Sequence, residues 1–217
     1  RMSRGLGDVY KRQGVKEAIL KNQEMCQDER KSYFEAMKIS MEALEILADR
    51  YAALAEEREN RAVLPEDKGR YRLMKETLHK VPRNGADNLY EAIQSFILIW
   101  QTMCLEQTPN PFAFSVGNAD RIFEPYRAKT NMSREVAAAL LKHLLVFFNV
   151  ADRSWAISQN LLIGGKDADG KDLTNLTTYA LLDAYYDMNL PQPILSVKLH
   201  KNCLLYTSPS PRDMRRS

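Results

Sequence analysis

The sequence predicts a helix-rich α/β fold, and three observations carry that prediction. Apolar residues recur at three- and four-residue steps through residues 32–60, the period of a helix with one buried face. Two short apolar runs, Asn160-Leu161-Leu162-Ile163-Gly164-Gly165 and Ile194-Leu195-Ser196-Val197-Lys198-Leu199, are bounded by glycine or proline and have the length of buried strands. Helical patterns precede and separate them, and a helix–strand–helix–strand order belongs to an α/β body.

Residues 14–30 are polar and read as helix. In the long helix 32–60, Ser32 is the expected N-cap. Phe34, Met37, Met41, Leu44, Leu47, Ala48, Tyr51 and Leu54 form its inner face, against an outer face rich in Glu, Arg and Lys. A second helix runs from Pro65 to Lys80 with proline in the first turn, and Val81-Pro82-Arg83-Asn84-Gly85 breaks it. The third helix, 87–107, carries Ile93, Phe96, Ile97, Ile99, Trp100, Met103 and Cys104 over most of its circumference. Such a helix is expected deep inside a large body, larger than this chain.

Thr108-Pro109-Asn110-Pro111 ends that helix, and Phe112-Ala113-Phe114-Ser115-Val116-Gly117 reads as a short strand or extended segment. Asp120 to Tyr126 reads as a short helix. Ser133 caps a helix over 134–150 with Ala137, Leu140, Leu141, Leu144, Leu145 and Phe148 inward. After the strand ending in Gly164-Gly165, Lys166 to Asp172 is a turn-rich loop, and a last helix spans Thr174 to Met188. Pro191-Gln192-Pro193 leads into the final strand.

The two ends of the chain read differently from its middle. Cys203-Leu204-Leu205-Tyr206-Thr207-Ser208 back-translates to a sequence whose reverse complement, in a shifted frame, encodes Asp8-Val9-Tyr10-Lys11-Arg12-Gln13. Pro209-Ser210-Pro211-Arg212-Asp213 mirrors Ser3-Arg4-Gly5-Leu6-Gly7 in the same way. One inverted repeat read through as codons is what a transposase-type sequencing adapter would leave. Residues 1–13 and 203–217 are therefore expected to be non-native, with 14–202 a fragment of something longer.

The formal net charge of +3 follows from those ends, where seven cations face two anions; residues 14–202 sit near −2. That leaves no electrostatic case for nucleic acid or a membrane surface. The longest apolar runs, such as Phe96-Ile97-Leu98-Ile99-Trp100, are far too short to span a bilayer. Cys26 and Cys104, the cysteines of the middle segment, form neither a disulfide framework nor a zinc spacing, which fits a reducing, cytoplasmic setting.

No catalytic constellation emerges from the residues themselves. His79, His143 and His200 are scattered, without metal-ligand spacing. Asp167-Ala168-Asp169-Gly170-Lys171-Asp172 resembles a calcium loop only faintly, because its glycine comes two positions early and no glutamate closes it. Gly164-Gly165 lacks the further glycine and the immediate helix of a phosphate loop. Cys104 lies among apolar residues, a setting that raises a thiol pKa and suits a core residue.

The order of segments resembles the glycyl radical enzymes of the pyruvate formate-lyase type. The resemblance is carried by residues 86–107, then Ser115-Val116-Gly117-Asn118-Ala119-Asp120-Arg121-Ile122-Phe123-Glu124-Pro125-Tyr126. It continues in Leu162-Ile163-Gly164-Gly165-Lys166-Asp167-Ala168-Asp169-Gly170-Lys171-Asp172 and in Leu190-Pro191-Gln192-Pro193-Ile194-Leu195-Ser196-Val197-Lys198-Leu199-His200. The last two motifs at their mutual spacing are the specific part. The resemblance implies a ten-stranded α/β barrel of two five-stranded halves around a dry pocket, of which this chain would supply outer helices and three barrel-region strands. It also implies a lyase or dehydratase of anaerobes acting on a small organic molecule, homodimeric at full length.

In that family a glycine near the C-terminus stores a radical installed by a radical-SAM activating enzyme, and a cysteine in a Gly-Cys-Val-Glu-like loop becomes the thiyl. Neither motif occurs in this sequence, so the resemblance implies no catalytic residue and no bound cofactor here, and an inactive chain. Where the dehydratases often carry a His-Ser pair ahead of Ser-x-Gly, this chain has Phe112 and Ala113, and the usual arginine after the glycine is Asn118. These departures argue against simple glycerol dehydration. An apolar wall of Phe112, Ala113 and Phe114 beside Ser115 suits a larger or less hydroxylated substrate, because unpaired polar groups are costly there; the alternative is that Phe112 and Phe114 are ordinary barrel core. Gln192 and Ser196, at the mouth of the last strand, are further candidates to reach the pocket. The competing reading is a non-catalytic helical scaffold with 32–80 as a docking hairpin. The all-round apolar helix 87–107 speaks against it, and strands 160–165 and 194–199 are expected to leave unpaired edges.

Overall fold

Helix formation in the first half of the chain follows its apolar period, and the computed structural model describes residues 12–25, 30–106, 116–149 and 159–201. The chain divides into two units, Arg1–Met103 and Cys104–Ser217. The first holds α1 (Arg12–Met25), α2 (Lys31–Arg61), α3 (Pro65–Lys80) and most of α4 (Leu89–Glu106).

Small side chains set the packing of this unit. The buried residues of α2 are Leu44, Ala48, Ala52, Ala55 and Glu59, a seam on one helical face. Leu78 of α3 and Leu98 of α4 close on Ala48 and Ala52, with Leu47 at the margin. Tyr51 and Leu54, expected inside, are exposed. Each precedes a seam alanine by one residue and so points about 100° away from it. Ser32 does not cap α2 either: the helix starts at Lys31, with Arg30 in the N-cap position making no side-chain bond, so Ser32 lies inside the first turn.

At the end of the seam, the Glu59 carboxylate accepts from Arg72 Nε at 2.8 Å and Lys75 Nζ at 2.9 Å, joining α2 to α3. The hydrogen bond from Lys75, then that from Arg72, holds the Glu59 carboxyl below its ordinary 4.5, against burial that pushes it up. A depressed carboxyl stabilises the native state above its unfolded pKa and loses that contribution as pH falls through the folded value. The α2–α3 hairpin is therefore expected to loosen below pH 4.5. Glu59→Gln should flatten that limb of an acid titration followed by circular dichroism; an unchanged limb would count against the pairing.

α4 begins where Asn88 Oδ1 accepts from Glu91 N at 2.9 Å, while the Glu91 carboxylate accepts from Asp87 N and Lys80 Nζ, each at 2.7 Å. From Leu89 to Thr102 no residue of α4 is exposed, as its all-round apolar pattern predicts. Cys26 and the side chain of Cys104 lie outside the described residues.

The second unit contains β1 (Gly117–Asn118), α5 (Ala119–Lys129), α6 (Arg134–Phe147), β2 (Asn160–Gly164), α7 (Leu176–Met188) and β3 (Ile194–Lys198). The strands form a parallel sheet in the order β1–β2–β3. Leu161 and Ile163 on one face of β2 are fully buried, while Asn160 and Leu162 on the other are half-buried. Of the strand expected at 112–117, Gly117 is the described part that pairs; Phe112, Ala113, Phe114 and Ser115 lie outside the described residues.

α5 continues past Pro125 to Lys129, further than the expected end at Tyr126. The proline cannot donate to the carbonyl of Arg121. The helix persists because buried Arg127 grips Glu124 within it and the Met132 carbonyl beyond it, at 2.7 Å each. Ser133 caps α6 as expected, its hydroxyl accepting from Val136 N. α7 starts at Leu176 rather than Thr174, because Asn175 and Thr178 close a reciprocal capping box ahead of it. α6 and α7 pack together through buried leucines and alanines, with Arg134–Asp183 and Lys142–Asp187 ion pairs across their exposed margin. Among the described residues no helix is long and apolar enough to cross a membrane.

Candidate functional site

Sheet register decides which of the candidate residues meet. Asn118 is the partner of Leu162, and Leu162 of Ser196, so Asn118 and Ser196 stand in one row across the sheet, on the face opposite buried Leu161 and Ile163. Asn160 joins that face and donates from Nδ2 to Ser196 Oγ at 3.1 Å. With the hydroxyl oxygen accepting there, its proton remains to be donated elsewhere. Asn118 Oδ1 is buried and has no hydrogen-bond partner among the described residues. A polar atom in that position is the kind a substrate group or water completes.

Gln192 is not brought to this row. Its Oε1 accepts from Gln159 N at 3.0 Å, and its carbonyl accepts from Asn149 Nδ2 at 2.8 Å. The residue fastens the entry to β3, just ahead of the cis Gln192–Pro193 peptide.

At the carboxyl end of β2 the chain solves an edge problem. β1 stops at Asn118, so no backbone stands opposite Gly164 on that side. Side chains from the first turn of α5 take its place. Asp120 Oδ2 accepts from Gly164 N at 2.7 Å, and Arg121 Nη2 donates to Gly164 O at 3.0 Å. The two side chains meet the same peptide groups that a continued strand would. β2 is therefore not left with the open edge its sequence suggested: β3 pairs along it from Asn160 to Gly164, and β1 plus this clamp cover the other side.

Asp120 is fully buried and also accepts from Thr178 Oγ1 at 2.7 Å, which draws α7 into the same knot. Burial pushes its carboxyl up, and the bonds from Gly164, Thr178 and Arg121 only partly oppose this. One helical turn on, Glu124 accepts from Thr177 N and Oγ1 and pairs with Arg127. Burial pushes Glu124 up as well, but the Arg127 and Thr177 bonds together with the Arg127 charge prevail, so its carboxyl lies below the ordinary value.

The loop after β2 is tied down separately. Asp167 Oδ1 accepts from the backbone of Asp169 and Lys171, and Lys166 bridges to Asp172. Asp172 Oδ1 in turn lies 3.2 Å from His200 Nε2, beyond the end of β3. The row of Asn118, Asn160 and Ser196 offers hydrogen bonds to orient a bound molecule. Among the described residues no group of His, Cys, Asp or Glu is arranged to hold a metal ion. Asn160, Asp120, Arg121 and His200 were not singled out by sequence, since their partners lie 28 to 58 positions away.

The family model described as pyruvate formate lyase-like matches residues 2–204. Isethionate sulfite-lyase of Desulfovibrio desulfuricans is 26% identical over 216 residues, covering 92% of this chain and 26% of that protein. A glycyl radical enzyme from Archaeoglobus fulgidus superposes with a TM-score of 0.81 at 25% identity, over 92% of this chain and 28% of that one. The glycerol-bound B12-independent glycerol dehydratase from Clostridium butyricum gives 0.82 at 25% identity, over 91% and 27%. The chain thus spans about a quarter of the length of these relatives, and its small parallel sheet with surrounding helices matches part of the glycyl radical enzyme fold. These relatives are enzymes. With nearly its whole length matched, the chain belongs to the pyruvate formate lyase-like family.

Proposed function

We propose that this chain is an interior portion of a glycyl radical lyase or dehydratase acting on a small organic molecule, and that its three strands are part of a ten-stranded barrel. The observation that carries the reading is the family match over residues 2–204, together with a fold shared with glycyl radical enzymes. The face bearing Asn118, Asn160 and Ser196 is then the substrate side, where Ser196 donates and Asn118 accepts. Phe112, Ala113, Phe114 and Ser115 would extend that wall, with an apolar character that disfavours simple glycerol dehydration. Gln192 would hold the entry to β3 through Gln159 rather than reach the substrate.

The residues present do not fit the radical itself. The sequence holds neither a Gly-Cys-x-Glu loop nor an Arg-Val-x-Gly-Tyr-like segment, so no step of hydrogen abstraction is assigned to it. Partners of the complete enzyme would be its substrate and a radical-SAM activating enzyme, with homodimerisation, in an anaerobic cytoplasm. Residues 1–13 and 203–217 would be adapter-derived.

Anaerobic incubation of the chain with a radical-SAM activase, S-adenosylmethionine and reductant tests this. No glycyl-radical doublet is expected by electron paramagnetic resonance, and no substrate turnover. A doublet or radical-dependent turnover from the 217-residue chain would overturn the assignment of both radical parts to sequence outside it.

A further inference from the structure

Two cationic side chains, Arg121 and Lys198, converge on the Gly164-Gly165 turn, beside the Asp120 carboxylate that binds Gly164 N. A Cβ placed on Gly165 would meet Arg121 Nη2 at 3.1 Å and Lys198 Cδ at 3.2 Å, so the two side chains flank one glycine. Gly165 has a φ of +95°, and the missing Cβ is what lets both approach. Among the described residues neither cation lies in an ion pair. Asp120, the neighbouring carboxylate, has its oxygens taken by Gly164, Thr178 and the backbone of Arg121. Arg121 spends Nη2 on the Gly164 carbonyl, and its Nε is buried with no acceptor among the described residues.

A buried guanidinium N–H without an acceptor, next to a second positive charge, is an arrangement that an oxyanion completes. Arginine supplies a rigid fork of donors and lysine a mobile point charge. Register places Lys198 opposite Gly164, on the same face of β3 as Ser196 two residues earlier. The cations therefore stand at the carboxyl edge of the polar row, where open parallel sheets bind ligands.

We propose that Arg121 and Lys198 form an oxyanion-binding site at the Gly164-Gly165 turn, taking the carboxylate, sulfonate or phosphate group of a small molecule. That the anion is one end of the substrate rests on the lyase reading above; the site itself does not.

The test is calorimetric titration of the intact protein with sulfate at constant ionic strength, against chloride. Saturable binding in the millimolar range is expected. Lys198→Met, at an exposed position that leaves the Gly164 clamp intact, should weaken it at least fivefold. Arg121→Gln should weaken it further, and Lys68→Met, exposed on α3, should leave it unchanged. Competition by a hydroxylated carboxylate such as glycerate would assign the site to the anionic end of a substrate. Sulfate binding without such competition would assign it to a free anion. Absence of saturable binding in the wild type, or full affinity in Lys198→Met, would overturn the site. Neither result bears on whether the protein carries radical chemistry, which the paramagnetic-resonance experiment decides separately.

Discussion

Asp120→Ala is expected to destabilise the second unit by about 2–4 kcal/mol, since a buried donor stripped of its acceptor costs about 1–3 kcal/mol. Two donors lose their acceptor at once, Gly164 N and Thr178 Oγ1, each held at 2.7 Å. The Gly164 amide has no alternative, because β1 ends at Asn118 and offers no carbonyl there. Asp120→Asn is a harsher test than its shape suggests. Oδ2 accepts from both donors while Oδ1 accepts from Arg121 N, so an amide NH2 in either place faces a donor. Urea denaturation at neutral pH reads both variants, and a loss under about 1 kcal/mol for Asp120→Ala would show that the clamp does not hold β2.

The pH dependence separates this carboxyl from Glu59. Asp120 is pushed above its ordinary 3.8, chiefly by burial, so the proton-linked part of its contribution is fully present below that pH and is lost as pH rises through the folded value, while the bonds it accepts from Gly164 N and Thr178 Oγ1 are what Asp120→Ala removes at neutral pH. Glu59 behaves oppositely, gaining as pH rises. Each variant should remove one limb of the stability profile, with opposite slopes.

Much of the helical architecture was legible because helix signals are local. Pro65 and the Val81-Pro82 break bound α3 at the residues observed, and Ser133 caps α6. The errors in α2 have a physical origin. Hydrophobicity alone ranks Tyr51 and Leu54 above Ala52 and Ala55, whereas close helix approach favours the alanines. The last helix, expected from Thr174, starts two residues later because Thr174 is taken up by the preceding loop. The Thr174 Oγ1 bonds Asp172 at 2.8 Å, and Asn175 takes the cap.

The site was legible in its motifs and not in its wiring. Asn118 stands out by its departure from the family's usual arginine and Ser196 by its place at the mouth of the last strand, and parallel register puts them in one row. Asn160 read only as the polar start of a strand; its bond to Ser196 depends on a pairing 36 positions apart. Asp120 and Arg121 sit inside a quoted motif, yet nothing local says that they stand in for a missing strand. That follows only once β1 is seen to end after two residues while β2 runs on. His200 counted as one of three scattered histidines until the loop brought Asp172 to it.

Gly164→Ala is expected to cost about 2–4 kcal/mol, and Gly170→Ala only the about 1–2 kcal/mol of placing an L-residue in the left-handed region. Both glycines have positive φ, +70° and +83°, so the backbone penalty is common to them. Their surroundings differ. A Cβ on Gly170 meets nothing within 4 Å, whereas one on Gly164 lies 3.0 Å from the carbonyl oxygen of Lys198. That oxygen belongs to the backbone of β3 at the residue paired with Gly164, so relief requires the strand to move. Such a movement would open the last rung of the β2–β3 ladder, pull Gly164 from the Asp120–Arg121 clamp and carry Lys198 away from Arg121. The excess of the Gly164 effect over the Gly170 effect thus measures the close approach of the strands, free of the conformational term. Urea denaturation gives both values, and amide hydrogen exchange should show lost protection at Gly164 in the first variant alone. Equal losses in the two variants would mean that the approach of β3 contributes nothing, and that the carboxyl end of the sheet is held by the α5 side chains alone.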